Sequence, residues 1–551
     1  MVNSPFTKRE TVVNFVTVSQ FSLWTGGRAA EGTGLLNRRT GYTGTAGSNP
    51  ALSVKNPLAE AVGFFLALEL FCSILVRMNK QRIMACTGIT ICGLTLLGAV
   101  DGNRPELEKV YWDTVTESGE FAGGNLMMRT APKTVQPLRG ITNVETLINN
   151  GPPTNRIDLV FVGDGYRVED LSTYESHVNN AMGDFFGIEP LQSYLPLFNV
   201  HRVDVISNET GVDNDPVNGI EKDTAMDMRF WCSGIERLLC VDTSLAWGYA
   251  NNVPSTDAIL AVANSTMYGG AGYSWAEIGT FAGGNSAATD VAIHEFGHSL
   301  ANLADEYFYN GDTYTGSEPS ERNASVYNSS EMESNGTKWA NWLGESGWPW
   351  DGTCSTYEGC MYADYGIYRP SNNSMMRSLN RPFNQPSAES FILEMYNIVN
   401  PLDDYTPAGV LDASETVFVT VVEIGHPMQI QWFLNGTSLG IDGQASIALP
   451  SLNLPVGLHN LRVEVVDPTD WVRDEVARDA TMKQTVIWAV QVDEVVCVGD
   501  VNGDGEVGIA DLLSAIDSWG ACSNCPADIN GDSVVNVTDI LAIVNDWGAC
   551  S

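Results

Sequence analysis

Residues 294–298 read His-Glu-Phe-Gly-His, and this pentapeptide holds two of the six histidines of the 551-residue chain. On a helix, positions i and i+4 share one face. His294 and His298 can therefore turn their ring nitrogens toward one metal ion, with Glu295 beside the first ligand to handle the proton of a bound water. This is the HExxH arrangement of zinc hydrolases. The apolar lead-in Asp290-Val-Ala-Ile293 suits a buried helix entry, with Asn285 or Ser286 as N-cap.

A catalytic zinc takes three protein ligands and keeps one open position. Were the helix to continue, Asp305 would lie eleven residues beyond His294, or ~16 Å along the axis. The helix must therefore break. Asn302 is the expected break, because Asn tolerates the left-handed conformation. The chain can then fold back to offer Asp305 or Glu306. Asp305 is the preferred third ligand, and an outer role orienting the histidines is the alternative for both acids.

At this point the chain resembles the M64 metallopeptidases, a family named for an IgA peptidase. The resemblance rests on His294-Glu-Phe-Gly-His-Ser-Leu-Ala-Asn-Leu-Ala-Asp-Glu-Tyr307 and on Arg156-Ile-Asp-Leu-Val-Phe-Val-Gly-Asp-Gly-Tyr166. Leu197–Val205, Tyr268-Gly-Gly-Ala-Gly272, Tyr368-Arg-Pro370 and Ser374-Met-Met-Arg377 are also similar. It spans about residues 150–400 and implies a zinc endopeptidase with a metzincin-like core. Typical metzincins carry Gly three residues and a ligand six residues after the second His. Here those positions are Ala301 and Ala304, and the acid comes one residue later. The resemblance also implies a methionine floor beneath the metal, from Met375 or Met376. Tyr368 is a candidate oxyanion donor. The glycine-rich stretch at 268–273 follows the apolar run Asp257–Ala263, which reads as a buried strand. It lacks a phosphate-loop signature and suits close approach of a substrate backbone beside an edge strand. The resemblance identifies no cleaved sequence, and the family's name does not make IgA the substrate.

Two twelve-residue loops near the C-terminus carry a second chemistry. Asp500, Asn502, Asp504, Glu506 and Asp511 occupy positions 1, 3, 5, 7 and 12 of the first. Asp528, Asn530, Asp532, Val534 and Asp539 repeat the spacing 28 residues later (500 to 528). Position 7 contributes its backbone carbonyl, and hard oxygen ligands so placed wrap Ca2+. Helices are expected at 512–520 and 540–548. The pair resembles a dockerin, and Asp at position 12 fits that resemblance. Ser533 replaces the turn glycine of the second loop, which weakens the expectation there. A dockerin implies docking to a cohesin-like partner or the cell surface; a calcium-stabilised cap without a partner is the alternative.

The elements that must carry these sites divide into five stretches. Residues 1–102 form a leader that is basic at first, with nine Lys/Arg against four Glu in its first 82 positions. Met78-Asn-Lys-Gln-Arg82 and the apolar run 83–100 resemble a signal peptide at 78–100. The upstream extension then follows from a start codon placed too early; a membrane anchor built with the apolar run 61–76 is the alternative. Residues 103–150 are expected as a short subdomain or pro-segment. Residues 151–402 form the α/β (α+β) metzincin-like peptidase domain. Residues 410–494 alternate apolar and polar, with a hairpin-type Asn435-Gly436, and read as an all-β immunoglobulin-like sandwich. Residues 497–551 are the small α, EF-hand-like repeat. The fold class is thus multidomain.

Formal net charge is −38 with 11 cysteines. That charge disfavours nucleic acid or anionic membrane as a partner for the bulk of the chain. Eight cysteines lie beyond the leader, an even set that suggests disulfides and export: Cys232/Cys240, Cys354/Cys360, and four bracketing the repeat. The leading expectation is a secreted zinc endopeptidase acting on proteins, with Glu295 as general base. The alternatives are a dockerin-bearing protein of polysaccharide degradation or scaffolding, and a non-catalytic cell-surface adhesin.

Overall fold

The computed structural model describes residues 107–115, 121–129, 140–309, 311–347, 349–350, 352–493 and 497–550. The leader expected at 1–102 lies outside them. Among the described residues no helix is long and apolar enough to cross a membrane.

Eight strands form one mixed sheet: β1 (Leu107–Val115), β2 (Phe121–Arg129), β3 (Ile141–Ile148), β4 (Ile157–Asp164), β5 (Phe198–Val205), β6 (Ala258–Ala263), β7 (Gly270–Tyr273) and β8 (Ile278–Ala282). Their order is β2-β1-β7-β8-β6-β4-β5-β3. The centre, β8-β6-β4-β5, is parallel. Every residue of β4, β5, β6, β7 and β8 is buried, as continuous apolar runs covered on both faces require. Helices α1 (Leu171–Phe185) and α3 (Ala288–Ser299) share one core with Leu159, Phe161 and Leu260; α2 (Thr243–Ala250) packs with Val160, Val162 and Ile259, whose side chains alternate to the opposite face.

Within residues 103–150, the stretch expected as a short subdomain or pro-segment, the described strands lie at both margins of this sheet. β3 pairs with β5 at one end. β1 pairs with β7 at the other, through Val110 opposite Tyr273 and Tyr111 opposite Gly272, and β2 is the outer strand of a β1–β2 hairpin. Hence β7 is not an edge strand.

The all-β part starts earlier than residue 410. β11 (Leu402–Tyr405) pairs with β13 (Thr416–Val421), which pairs with β16 (Ser446–Ala448). A second sheet has the order β12-β18-β17-β14-β15. Its members are β12 (Val410–Asp412), β14 (Gln429–Leu434), β15 (Thr437–Ser438), β17 (Gly457–Val466) and β18 (Lys483–Val492). Strict alternation on β17 and β13 turns Leu461, Val463 and Val465 and Val417 and Val419 into one core, with the Trp432 and Trp488 rings stacked 5.8 Å apart. Asn435 and Gly436 both take positive φ (50° and 82°), the hairpin conformation expected of that dipeptide. β9 (Tyr357–Cys360) and β10 (Ala363–Arg369) form a separate pair.

Three disulfides join Cys232–Cys240, Cys497–Cys550 and Cys522–Cys525. The fourth expected pair is absent: Cys354 and Cys360 are free and buried. Packing separates them. Cys354 sits with Met332, Trp339 and Trp342, whereas Cys360 sits with Ala304, Ala324 and Ile367.

Candidate metal centre

The HExxH residues lie on α3, which is buried on almost every side from Val291 to Ser299. Its N-cap is Ala287, not Asn285 or Ser286; the Asn285 side chain accepts from the Ala287 N–H instead. The helix approaches β7 closely because that strand carries glycines. A Cβ on Gly270 would stand 2.7 Å from Val291 Cγ1, and one on Gly272 would stand 2.9 Å from both Glu295 and His298. The glycine-rich stretch thus lets the motif helix seat against the sheet.

α3 ends at Ser299, and Asn302 takes φ of 49°, the left-handed turn that sends the chain back. Asp305 then meets the histidines. Its Oδ1 lies 3.1 Å from His294 Nε2 and 3.3 Å from His298 Nε2, and the two imidazole nitrogens are 3.1 Å apart. His294, His298 and Asp305 are the group able to hold an ion here. Glu306 points elsewhere, accepting from Ser374, Asn323 and Asn384.

The other nitrogen of each ring decides what this group wants. His294 Nδ1 faces the Met375 carbonyl at 3.1 Å, and His298 Nδ1 faces the Leu303 carbonyl at 2.7 Å. Each Nδ1 must donate there, which leaves both Nε2 atoms as lone pairs. Two lone pairs and a carboxylate then converge with no proton required between them, a donor set that fits a divalent cation. The electrostatics agree. Burial opposes a charge on His294, yet Asp305 and Asp113 outweigh it and push the imidazole up to about 9. Burial raises Asp305 too, but His298 and His294 hold it well below the usual carboxylate range. The buried carboxylates thus favour a positive charge at the imidazoles.

Glu295 is fully buried, and neither of its oxygens finds a hydrogen-bond partner. Burial, then Asp113, then Asp305 push its carboxyl well above the usual range. Met376 packs beneath Gly297, where an added Cβ would stand 2.8 Å from its sulfur. The methionine pair thus lies under the helix, one residue giving a carbonyl to His294 and the other its side chain. Tyr368 is not among the hydroxyls around the centre. It sits on β10, bonded through its backbone to Ser325, with Glu358 and Glu331 as its electrostatic surroundings. The hydroxyl nearest the metal group is that of Tyr362, which donates to Asp305 Oδ2.

Sequence reasoning missed four residues here. Tyr111 of β1 stacks on His298, with ring centroids 3.9 Å apart and planes at 1°. Asp113, also on β1, places Oδ2 3.8 Å from His294 Nε2. Tyr268 donates to Asp113 Oδ1, and Tyr362 binds Asp305. Tyr268 stands in a stretch the motif comparison had singled out; the others carry no local signal.

In the C-terminal repeat, Asp500, Asp504 and Asp511 gather into a second group able to hold an ion. Asp500 accepts from the N–H groups of Gly503, Asp504 and Gly505; Asn502 and Asp504 accept from the N–H groups two residues on. Glu506 and Val534, at position 7, pair in short bridges with Ala549 and Ala521. Asp528, Asn530 and Asp532 make the corresponding loop bonds around the N–H groups of Asp532, Ser533 and Val534. Among the described residues, however, the second loop does not form such a group. Ser533 takes φ of 67° where Gly505 takes 88°, so a side chain occupies a left-handed position. The helices run Ile509–Asp517 and Val537–Asn545, three residues earlier than the loop pattern suggests. The cause is that Asp511 and Asp539 also close the first turn, accepting from the N–H of Gly508 and of Asn536.

Residues 145–353 match the family model described as IgA Peptidase M64. The match covers less than half of the chain but includes His294, Glu295, His298 and Asp305, and it supports the M64 family and a peptidase. No curated protein matches the chain.

Proposed function

We propose that this protein is a secreted, metzincin-like zinc endopeptidase. The observation that carries the reading is the convergence of two imidazole lone pairs and the Asp305 carboxylate, inside the region similar to M64 peptidases. His294, His298 and Asp305 would hold the metal. Zinc so bound supplies Lewis acidity, polarising a scissile carbonyl and acidifying a water. Glu295, adjacent on the helix and without another partner for its oxygens, takes the proton and returns it to the leaving amine. The carbonyls of Met375 and Leu303 keep both histidines in the metal-binding tautomer. Tyr362 and Tyr111 fix the orientation of Asp305 and His298.

Three disulfides support an exported chain. The paired sheets of residues 402–492 support an immunoglobulin-like sandwich. The loops at 500–511 and 528–539 support a dockerin-like, calcium-binding repeat. Each repeat helix leaves an apolar row exposed, Ile509, Leu513 and Ile516 on one and Val537, Leu541 and Val544 on the other, which supports docking to a cohesin-like or cell-surface partner.

The test is metal content together with cleavage of casein or gelatin, with and without a chelator, followed by zinc rescue. Stoichiometric zinc and chelator-sensitive, zinc-restored cleavage are expected. A metal-free protein, or cleavage indifferent to chelation, removes the reading.

A further inference from the structure

Met361 and Tyr362 break a rule that this chain obeys elsewhere. Cys360 of β9 pairs with Ala363 of β10, so the two residues between them form a two-residue hairpin turn, and both take positive φ, 47° and 70°. That conformation selects Asn and Gly, as at Asn435-Gly436, where φ is 50° and 82°. Long side chains such as Met and Tyr are disfavoured in the left-handed region. Strain of this kind persists only where the surroundings impose it, and it gathers at functional sites.

The surroundings here are the segment that carries Asp305. The Met361 N–H donates to the Asp305 carbonyl and the Tyr362 N–H to the Tyr307 carbonyl, both at 3.0 Å. The Cys360 thiol donates to the Asp305 carbonyl at 3.3 Å. The Tyr362 ring packs against Tyr307 and Tyr309, with centroids 5.5 and 6.2 Å away. An Asn-Gly turn could make the same two backbone bonds. It could not bring a hydroxyl to Asp305 Oδ2, as Tyr362 does.

The two oxygens of Asp305 are thereby divided. Oδ1 faces both imidazole nitrogens, at 3.1 and 3.3 Å, while Oδ2 is taken by the phenol. A carboxylate can bind a metal through one oxygen or through both. With three protein ligands, one oxygen leaves the fourth position of a tetrahedron for water, and a second oxygen would compete for it. We propose that Tyr362 is a positioning residue that restricts Asp305 to a single coordinating oxygen, and that the left-handed Met361-Tyr362 turn is the device that delivers its hydroxyl. The proposal rests on the metallopeptidase reading above and deepens it, by assigning the coordination number of the site to one hydroxyl.

The test compares the full chain with Tyr362→Phe, which removes only that hydroxyl. A double variant, Tyr362→Phe with Met361→Gly, also removes one left-handed side chain and serves if the single variant folds poorly. Each protein is loaded with cobalt(II) and its visible absorption recorded; the zinc forms are assayed on casein. The wild type should show the strong visible bands of four-coordinate cobalt. The variants should keep the metal but show weaker bands, because the freed oxygen raises the coordination number. Their casein cleavage should fall roughly 10–100-fold, the range for lost outer partners of metal ligands. Folded variants that keep the wild-type spectrum, whatever their melting temperature, overturn the positioning role alone. Failure of the wild type to bind either zinc or cobalt overturns the metallopeptidase reading and this role with it.

Discussion

The two candidate ion sites of this chain are built on opposite principles. The site at 294–305 is assembled by tertiary structure: a helix, a turn, a methionine-containing segment 70 residues on and a strand 180 residues back meet in the buried interior. The site at 500–511 is assembled by one loop. Its carboxylates are held by the N–H groups of their own next few residues, and most of it faces water. Buried donors cannot relax when the ion leaves, because each lone pair then faces another across about 3 Å. Loop carboxylates can turn to solvent. The first site should therefore couple metal binding tightly to chemistry and folding, and the second should tune only its own small core of Val507, Ala515, Val535 and Ile543.

Experiments can strain this contrast, beginning with the largest effect. His298→Ala should abolish zinc retention and cleavage together, a loss beyond the roughly 10–100-fold typical of outer-shell partners; metal analysis after dialysis reads it, and retained stoichiometric zinc would refute the assignment. Glu295→Gln should lower casein cleavage by about 10²–10⁴-fold with zinc content unchanged, the usual range for a lost general base. If zinc falls in parallel, Glu295 belongs to the metal's support rather than to proton transfer. Removing calcium with a calcium-selective chelator should lower the melting temperature of the repeat but leave cleavage within about twofold, since surface-loop ligands carry a local stability share. Equal loss of activity would show that the two sites are not independent. The smallest effect is Ser533→Gly, which relieves a left-handed side chain and should strengthen calcium binding by about 1 kcal/mol, or roughly fivefold. Calorimetric titration that finds no gain would show that the second loop does not bind through that turn.

The same contrast separates what the sequence encodes locally from what only the tertiary structure brings together. The i,i+4 histidines, the twelve-residue loops and the alternating β17 and β18 are local patterns, so sequence spacing carries them. Asp305 was within reach because the helix-length argument forced a break near Asn302. Asp113 and Tyr111 were not, because their place depends on the pairing of β1 with β7 across about 160 residues, and no local period encodes a partner at that distance. Cys354 and Cys360 misled for the complementary reason. Six residues apart they suggest a closed loop, but the chain between them turns each sulfur into a different apolar cluster. Tyr368 was drawn from a motif fragment, whereas the hydroxyl that reaches Asp305 comes from Tyr362, six residues earlier on the β9–β10 turn.

The eight-stranded sheet and the all-β sheets of residues 402–492 share more than a border. Tyr194, beside the eight-stranded sheet, and Tyr396, on the helix Gln385–Ile398, both donate to Asp467 of the all-β part, and Glu389 of that helix accepts from the N–H groups of Arg473 and Asp474. Arg156 makes a two-pronged bond to Asp403. Cutting the chain at residue 409 would strand two buried phenols and a buried glutamate. The two parts therefore depend on each other across residue 409 and should unfold together rather than as separate modules.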